Sequence, residues 1–275
     1  MAWPVDPSVY VGLLALLLGH AWLARERGAQ RRHYLFFGAG IFLIWAALET
    51  PIDTLGDSYL LSAHMVEHML LFACAPPLLL LGLTPPMVAR LIRLVPPIRW
   101  LTEPVAAIVL SAIGLLLWHF PPIFDVAVEN NTVHACEHLT FLLVGVLFWW
   151  PLIDSTSSQA TWRLSPLSKL VYLGLGSLPM MAISLILQFA PGVLYTPYLH
   201  DPRISPFLTP HTDQTVAGAV MMFMDMGVMI WDALYVFFRW FRGEVDADFV
   251  DTAVPITQNS EDWEQMQAYL RTMQR

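Results

Sequence analysis

The sequence contains little charge and only two cysteines. Of its 275 residues, 13% are Asp, Glu, Lys or Arg, whereas 56% are hydrophobic. A soluble domain of this length cannot bury so much apolar surface, so the composition indicates a membrane protein. Cys74 and Cys136 both fall in apolar segments and predict no disulfide framework. For a chain with a net charge of −8 we also expect no nucleic-acid partner.

The start of the chain lacks the features of a removable signal peptide. Residues 1–6 contain no basic side chain and no small-residue cleavage pattern. We therefore expect the first apolar segment to be retained as a transmembrane helix.

Apolar segments of nearly membrane-spanning length recur along the chain. A hydrocarbon core of about 30 Å requires roughly 20 residues of helix, and polar or proline-rich breaks separate the segments. We predict an all-α, polytopic membrane protein with seven transmembrane helices. The predicted spans are 8–23, 33–48, 60–81, 105–118, 133–153, 170–189 and 215–240. Pro76 and Pro77 are expected to break the third span, because proline removes a helix hydrogen bond.

The basic residues are unevenly distributed over the loops that these spans define. If the loops alternate, 13 of the 14 Lys and Arg residues lie on one side and only Arg203 on the other. The positive-inside rule then places the N-terminus outside and the C-terminus inside. We divide the chain into a transmembrane domain in contact with lipid, 1–242, and an acidic cytoplasmic tail, 243–275. That tail contains seven acidic residues and two basic ones, Arg271 and Arg275, so its net charge is −5.

The histidines have the opposite distribution. Seven of the nine lie on the predicted outer side, and four of these form two copies of the pattern H-x-x-E-H. On a helix, residues i and i+4 share one face, so each copy offers two imidazoles to one ion. The motif residues are His64, Glu67 and His68 in the third span, and His134, Glu137 and His138 in the fifth.

The two motifs share their sequence context. Pro51 precedes His64 by 13 residues, and Pro121 precedes His134 by the same distance. This offset of 70 residues indicates a parallel internal repeat, although a chance match is an alternative. His119 lies at the outer end of the fourth span and is a fifth candidate ligand.

Ionisable groups within a span normally face a partner or a wet cavity, because their insertion costs on the order of 2.5–3.5 kcal/mol each. The two motif glutamates therefore favour a metal or haem site over a set of isolated polar side chains. Imidazole suits zinc, copper and iron, whereas thioether ligands favour Cu(I). Met65 and Met69 flank the first motif, and Met222 and Asp225 lie in the seventh span. We take these four as supporting residues of a copper site, although methionine also packs well in apolar interiors.

Several motifs together resemble the CtaG-type family of cytochrome c oxidase assembly factors. The resemblance covers roughly residues 61–240. It is carried by HMVEHMLL at 64–71, APPL at 75–78, WHFPP at 118–122, HACEH at 134–138, FWWP at 148–151, DQ at 213–214 and AG at 217–218. The chain departs from the family pattern at 222–227, where MFMDMG stands in place of the expected tryptophan, proline and glycine.

The resemblance implies a protein of the bacterial plasma membrane that is not an enzyme. It would bind copper at its outer face and help to mature a haem-copper oxidase, whose subunits would be its partners. Two alternatives fit the same residues. Histidines on adjacent helices also ligate haem in electron-transfer proteins, and H-x-x-E-H is also the signature of zinc proteases in which the glutamate acts as general base.

Overall fold

A computed structural model describes residues 5–25, 28–153, 156, 162–200, 202–205 and 207–243. Every regular element within these ranges is helical, which confirms the all-α prediction. The chain divides into two compact units, Met1–Ala233 and Leu234–Arg275. The first unit contains all the predicted site residues. Apart from Gly243, the predicted acidic tail lies outside the described residues.

Thirteen α-helices fall within the described part of the chain. They are α1 (Pro7–Leu23), α2 (Arg31–Leu48), α3 (Pro51–Ser58), α4 (Leu61–Met69), α5 (Ala75–Leu81), α6 (Pro85–Leu94), α7 (Ile98–Leu101), α8 (Pro104–Trp118), α9 (Pro121–Glu129), α10 (Asn131–Trp149), α11 (Pro166–Gly176), α12 (Leu178–Phe189) and α13 (Pro210–Phe241). A π-helical turn, Leu70–Cys74, joins α4 to α5, and a short 3₁₀ turn covers Pro197–Leu199.

Four helical stretches among the described residues are long and apolar enough to cross a membrane. They are Leu61–Leu81, Asn131–Trp149, Pro166–Phe189 and Pro210–Phe241. Two further pairs bend at a short break, α2 with α3 by 41° and α8 with α9 by 70°, and raise the number to six if each pair is one span. Helix α1 is apolar but has only 17 residues. The predicted count of seven, and the orientation that depends on it, therefore stay predictions.

Proline does not break the third predicted span as expected. Pro76 and Pro77 lie in the first turn of α5, where the missing N–H groups matter least, and the chain widens into the π turn just before them. The carbonyl of Phe72 in this turn accepts a hydrogen bond of 3.2 Å from the indole N–H of Trp149. The helical course from α4 to α5 is thus preserved by a local change of winding.

The same order of elements occurs twice along the chain. A long helix, a short helix that begins at a proline, and a helix that carries H-x-x-E-H follow one another in α2–α3–α4 and again in α8–α9–α10. The sequence offset of 70 residues therefore corresponds to a repeated arrangement of helices.

A close backbone contact brings α10 against the π turn and α5, which directly follow the first motif helix. A Cβ at Gly145 on α10 would lie 2.7 Å from the Phe72 carbonyl oxygen and 2.8 Å from Pro76 Cγ. Only glycine permits this approach without displacing the backbone of the π turn. Near the same level, the Ser111 hydroxyl donates to the Val144 carbonyl over 3.0 Å and ties α8 to α10.

Candidate metal centre

The two H-x-x-E-H motifs face each other across the interface of α4 and α10. Each glutamate lies beside a histidine of the opposite motif. His68 Nε2 is 3.4 Å from Glu137 Oε1, and His138 Nε2 is 3.7 Å from Glu67 Oε2. The ring centres of His64 and His134 are 5.1 Å apart. This geometry is consistent with a single site that takes ligands from both motifs.

The side chains form three overlapping groups that could hold a cation. In each group the ligand atoms all lie within 4.8 Å of one another, and His64 belongs to all three. We call them the rim set, the middle set and the deep set. The rim set is Asp57, His64, Glu67 and His134, the middle set is His64, His134 and His138, and the deep set is His64, His68 and Glu137.

The cluster buries many polar atoms that have no hydrogen-bond partner within the described residues. Eleven nitrogen and oxygen atoms are in this condition: Asp57 Oδ1, both ring nitrogens of His64 and of His68, both carboxylate oxygens of Glu67 and of Glu137, His134 Nε2 and His138 Nε2. An unsatisfied buried polar group costs about 1–3 kcal/mol, and such groups are rare in folded proteins. A bound cation would satisfy imidazole and carboxylate lone pairs together.

Asp57 also belongs to the cluster, although the sequence motifs do not predict it. It lies on α3, and its Oδ1 is 3.4 Å from His134 Nδ1 on α10. The tight packing of α3 against α4 places it there, since a Cβ at Gly56 would lie 3.0 Å from both Glu67 Oε1 and the His64 backbone. A sequence signal existed, because Asp53 and Asp57 stand one helical turn apart just before the first motif.

His119 lies beside the cluster but outside all three sets. Its ring centre is 5.5 Å from that of His68. Its Nδ1 lies 2.8 Å from the Leu115 carbonyl and donates to it, while Nε2 has no partner among the described residues. The structure therefore gives this predicted ligand a place next to the site, with one ring nitrogen already engaged.

The predicted supporting residues are spread over different environments. Met65 and Met69 are fully buried in the hydrophobic core, and each follows a histidine by one residue, about 100° further round the helix. The Met222 sulfur accepts a hydrogen bond of 3.9 Å from the Gln188 side-chain amide. Asp225 is buried, and its Oδ1 is unpaired within the described residues. Neither Asp225 nor Met222 is brought to the histidine cluster by any contact of the described residues.

Comparison with known proteins agrees with these motifs. A sequence model of the family described as cytochrome c oxidase caa3 assembly factor (Caa3_CtaG) matches residues 15–243, which is most of the chain. The chain belongs to this family. The match extends further toward the N-terminus than residue 61, where the motif resemblance begins.

Curated relatives from mycobacteria match only in part. An uncharacterized protein of Mycobacterium bovis and one of Mycobacterium tuberculosis are each 32% identical over 176 residues, and one of Mycobacterium leprae is 31% identical over 177. Each match covers 55% of this chain and 26% of the relative. The chain thus corresponds to about a quarter of the length of these relatives. No solved structure matches it.

Two residues of the family motif in α13 form hydrogen bonds with segments that adjoin the site. Asp213 accepts hydrogen bonds from the hydroxyl and the backbone N–H of Ser62, in the first turn of α4. The Gln214 side chain accepts from Leu194 N–H over 2.7 Å and donates to the Gly192 carbonyl over 3.1 Å. These bonds anchor the start of the first motif helix, two residues before His64, and the loop after α12.

That loop covers the cluster with aromatic side chains. Tyr195 stacks on Phe124 with ring centres 3.8 Å apart, and Phe124 meets the edge of His64 at 5.1 Å. The Tyr195 hydroxyl donates to the His119 carbonyl, and the Tyr198 hydroxyl donates to the Gly56 carbonyl over 2.8 Å. An apolar enclosure strengthens the interactions of an ion with its ligands, because it excludes water.

Proposed function

We propose that this protein binds copper at the histidine cluster and thereby supports the maturation of a haem-copper oxidase. The observation that carries the proposal is the set of eleven buried nitrogen and oxygen atoms on α3, α4 and α10 that have no hydrogen-bond partner among the described residues. Seven side chains with buried, unsatisfied atoms would be hard to reconcile with a stable fold, given about 1–3 kcal/mol for each. A cation is the partner that this combination of donors suits best.

The choice of copper depends on the family. Imidazole suits zinc, copper and iron, whereas carboxylate suits harder ions, so the ligands alone do not select copper. The family is named for assembly of a cytochrome c oxidase, and copper is the metal that a haem-copper oxidase must receive in addition to its haem iron. We infer a non-catalytic role in which copper is the cargo and the oxidase subunits are the partners.

The proposed setting is a bacterial plasma membrane, with seven spans in contact with lipid and the metal cluster facing the outer side. Arg203 is the only basic residue among the predicted outer loops, and the motif histidines belong to the same side. An outward-facing site would receive copper without its passage across the bilayer. Cysteines introduced one at a time at Arg203 and at Arg93, in a chain whose Cys74 and Cys136 are replaced by serine, test this orientation by labelling in intact cells. Labelling of Arg93→Cys alone would contradict it.

Metal analysis and a visible spectrum of the purified protein test the metal. We expect one copper per chain after incubation with Cu(I) and no Soret band. The His68→Ala, His138→Ala double variant should bind copper at least about tenfold more weakly, because it removes one histidine from the deep set and one from the middle set and leaves only the rim set intact. A protein that takes up no copper would contradict the proposal. A strong Soret band would indicate that the histidines bind haem and not copper.

A further inference from the structure

The two ends of the metal cluster differ in their access to solvent. At one end the side chains of Asp57 and His134 are 39% and 10% exposed. The remaining residues of the rim and deep sets, His64, Glu67, His68 and Glu137, are fully buried. An ion that arrives from the aqueous side therefore meets the rim set before the deep set.

Asp57 connects the exterior to the interior of the cluster. Although much of its side chain is exposed, Oδ1 is shielded from solvent, has no hydrogen-bond partner among the described residues and lies 3.4 Å from His134 Nδ1. Its helix is held in place by the close contact at Gly56 and by the hydrogen bond from Tyr198 to the Gly56 carbonyl. The carboxylate thus has one oxygen aimed into the site from a fixed position.

His64 is the only residue that the rim set and the deep set share. Its two ring nitrogens face different glutamates, since Nδ1 is 3.9 Å from Glu67 Oε2 and Nε2 is 3.9 Å from Glu137 Oε2. One imidazole therefore borders both positions. The middle set shares His64 and His134 with the rim set and adds His138, whose ring centre lies 4.1 Å from that of His134 and 6.0 Å from that of His68.

From this geometry we propose that the cluster holds one cation at two successive positions. The ion is first captured at the rim by Asp57, Glu67, His134 and His64. It then passes to the deep position at His68, Glu137 and His64. This inference rests on the proposed function of the cluster as a copper site. The transfer is an exchange of ligands at constant oxidation state, in which each new donor replaces one that the ion leaves.

Stepwise transfer avoids an unfavourable intermediate. A cation that entered the fully buried set directly would lose its hydration before it gained protein ligands, and burial of an unpaired charge is strongly unfavourable. Because the sets overlap, the ion can exchange its ligands a few at a time. At His64 the bond to Nδ1, which borders Glu67, breaks as the bond to Nε2, which borders Glu137, forms. Because the positions are close and share a ligand, two like-charged ions are not expected to occupy them together.

Uptake kinetics of the full-length protein in detergent test the role of Asp57. Cu(I) alone is the probe, and a chromophoric Cu(I) chelator reports free copper in stopped-flow and equilibrium measurements. We expect Asp57→Asn to slow uptake at least about tenfold and to change the final affinity less than about threefold. Asp57→Glu should restore most of the rate, because it retains a carboxylate.

Asp53→Asn is the matched control, since it removes one negative charge from the same helix one turn away and Asp53 belongs to none of the three sets. It should leave the rate within about twofold of the unsubstituted protein. Equal slowing by Asp53→Asn and Asp57→Asn would indicate electrostatic attraction without ligation and would overturn the proposal. An unchanged rate in Asp57→Asn would overturn it as well.

His68→Asn tests the deep position. It should keep the fast uptake and weaken the final affinity about tenfold or more, the reverse of the Asp57→Asn result. The same effect of both variants on rate and affinity would indicate a single position, and two coppers per chain would contradict exclusive occupancy. If the unsubstituted protein takes up no Cu(I), the proposed function itself fails, whereas normal uptake that is insensitive to Asp57→Asn contradicts only the two-position inference.

Discussion

Two regions of the molecule bury histidine in different ways. His20 on α1 is 6% exposed, its Nε2 lies 3.0 Å from the Gly82 carbonyl, and its ring stacks on Phe37 with centres 4.0 Å apart. His64 and His68 are fully buried, yet neither ring nitrogen of either residue has a hydrogen-bond partner among the described residues. Burial alone therefore does not mark a metal site. The distinguishing feature is a group of buried donors that converge on one another without satisfying one another.

The largest expected effect comes from His64, because it belongs to all three ligand sets. His64→Ala should weaken Cu(I) binding on the order of 100-fold, as expected for loss of a ligand that every arrangement uses. Competition with a Cu(I) chelator measures this change. Cu(I) affinity within about twofold of the unsubstituted value would show that the cluster does not bind the ion through His64.

Metal binding should stabilise the fold of the cluster region. At a free Cu(I) concentration about 100 times the dissociation constant, the free energy of unfolding should rise by about 2.7 kcal/mol, since only the folded state contains the site. Thermal unfolding in detergent, with and without Cu(I), measures the shift. His64→Ala should show almost none of it, and an equal shift in both proteins would indicate binding elsewhere.

The contact between α10 and the π turn should matter for stability. Gly145→Ala is expected to cost about 1–3 kcal/mol, because the new Cβ would lie 2.7 Å from the Phe72 carbonyl oxygen. Gly174→Ala on α11 is the matched control, since its Cβ meets nothing within 4 Å. Chemical or thermal unfolding compares the two. Equal stability of the two variants would mean that the close approach is not required.

The smallest effect is expected at the structural histidine. His20→Phe retains an aromatic ring against Phe37 but removes the hydrogen bond to Gly82, so it should cost about 1 kcal/mol of stability. Its Cu(I) affinity should stay unchanged. A loss of copper binding in this variant would show that His20 also contributes to the metal site, contrary to its assignment as a structural histidine.

Helix positions were largely predictable from the apolar segments. The span predicted at 33–48 corresponds to Arg31–Leu48, and that at 60–81 corresponds to Leu61–Leu81. Such runs are specified locally by their length and by the prolines and capping residues around them. The number of crossings is less predictable, because it depends on how the bent pairs and α1 lie in a bilayer.

The candidate site was predictable where its residues share one helix. The spacing within H-x-x-E-H is enough to place His64 and His68 on one face. Asp57 was missed, because its position depends on contacts between different helices, at Gly56 and Tyr198. The sequence predicts His119 as a candidate ligand but not its hydrogen bond to the Leu115 carbonyl, which its position at the C-cap of α8 permits.

X-ray absorption spectroscopy of the Cu(I)-loaded protein tests the central claim most directly, because it identifies the atoms around the metal. We predict a shell of nitrogen and oxygen with the outer scattering of imidazole rings, reduced in His64→Ala and unchanged in His20→Phe. A shell dominated by sulfur, or a spectrum that is the same in the unsubstituted protein and in His64→Ala, would contradict a copper site built from the two H-x-x-E-H motifs.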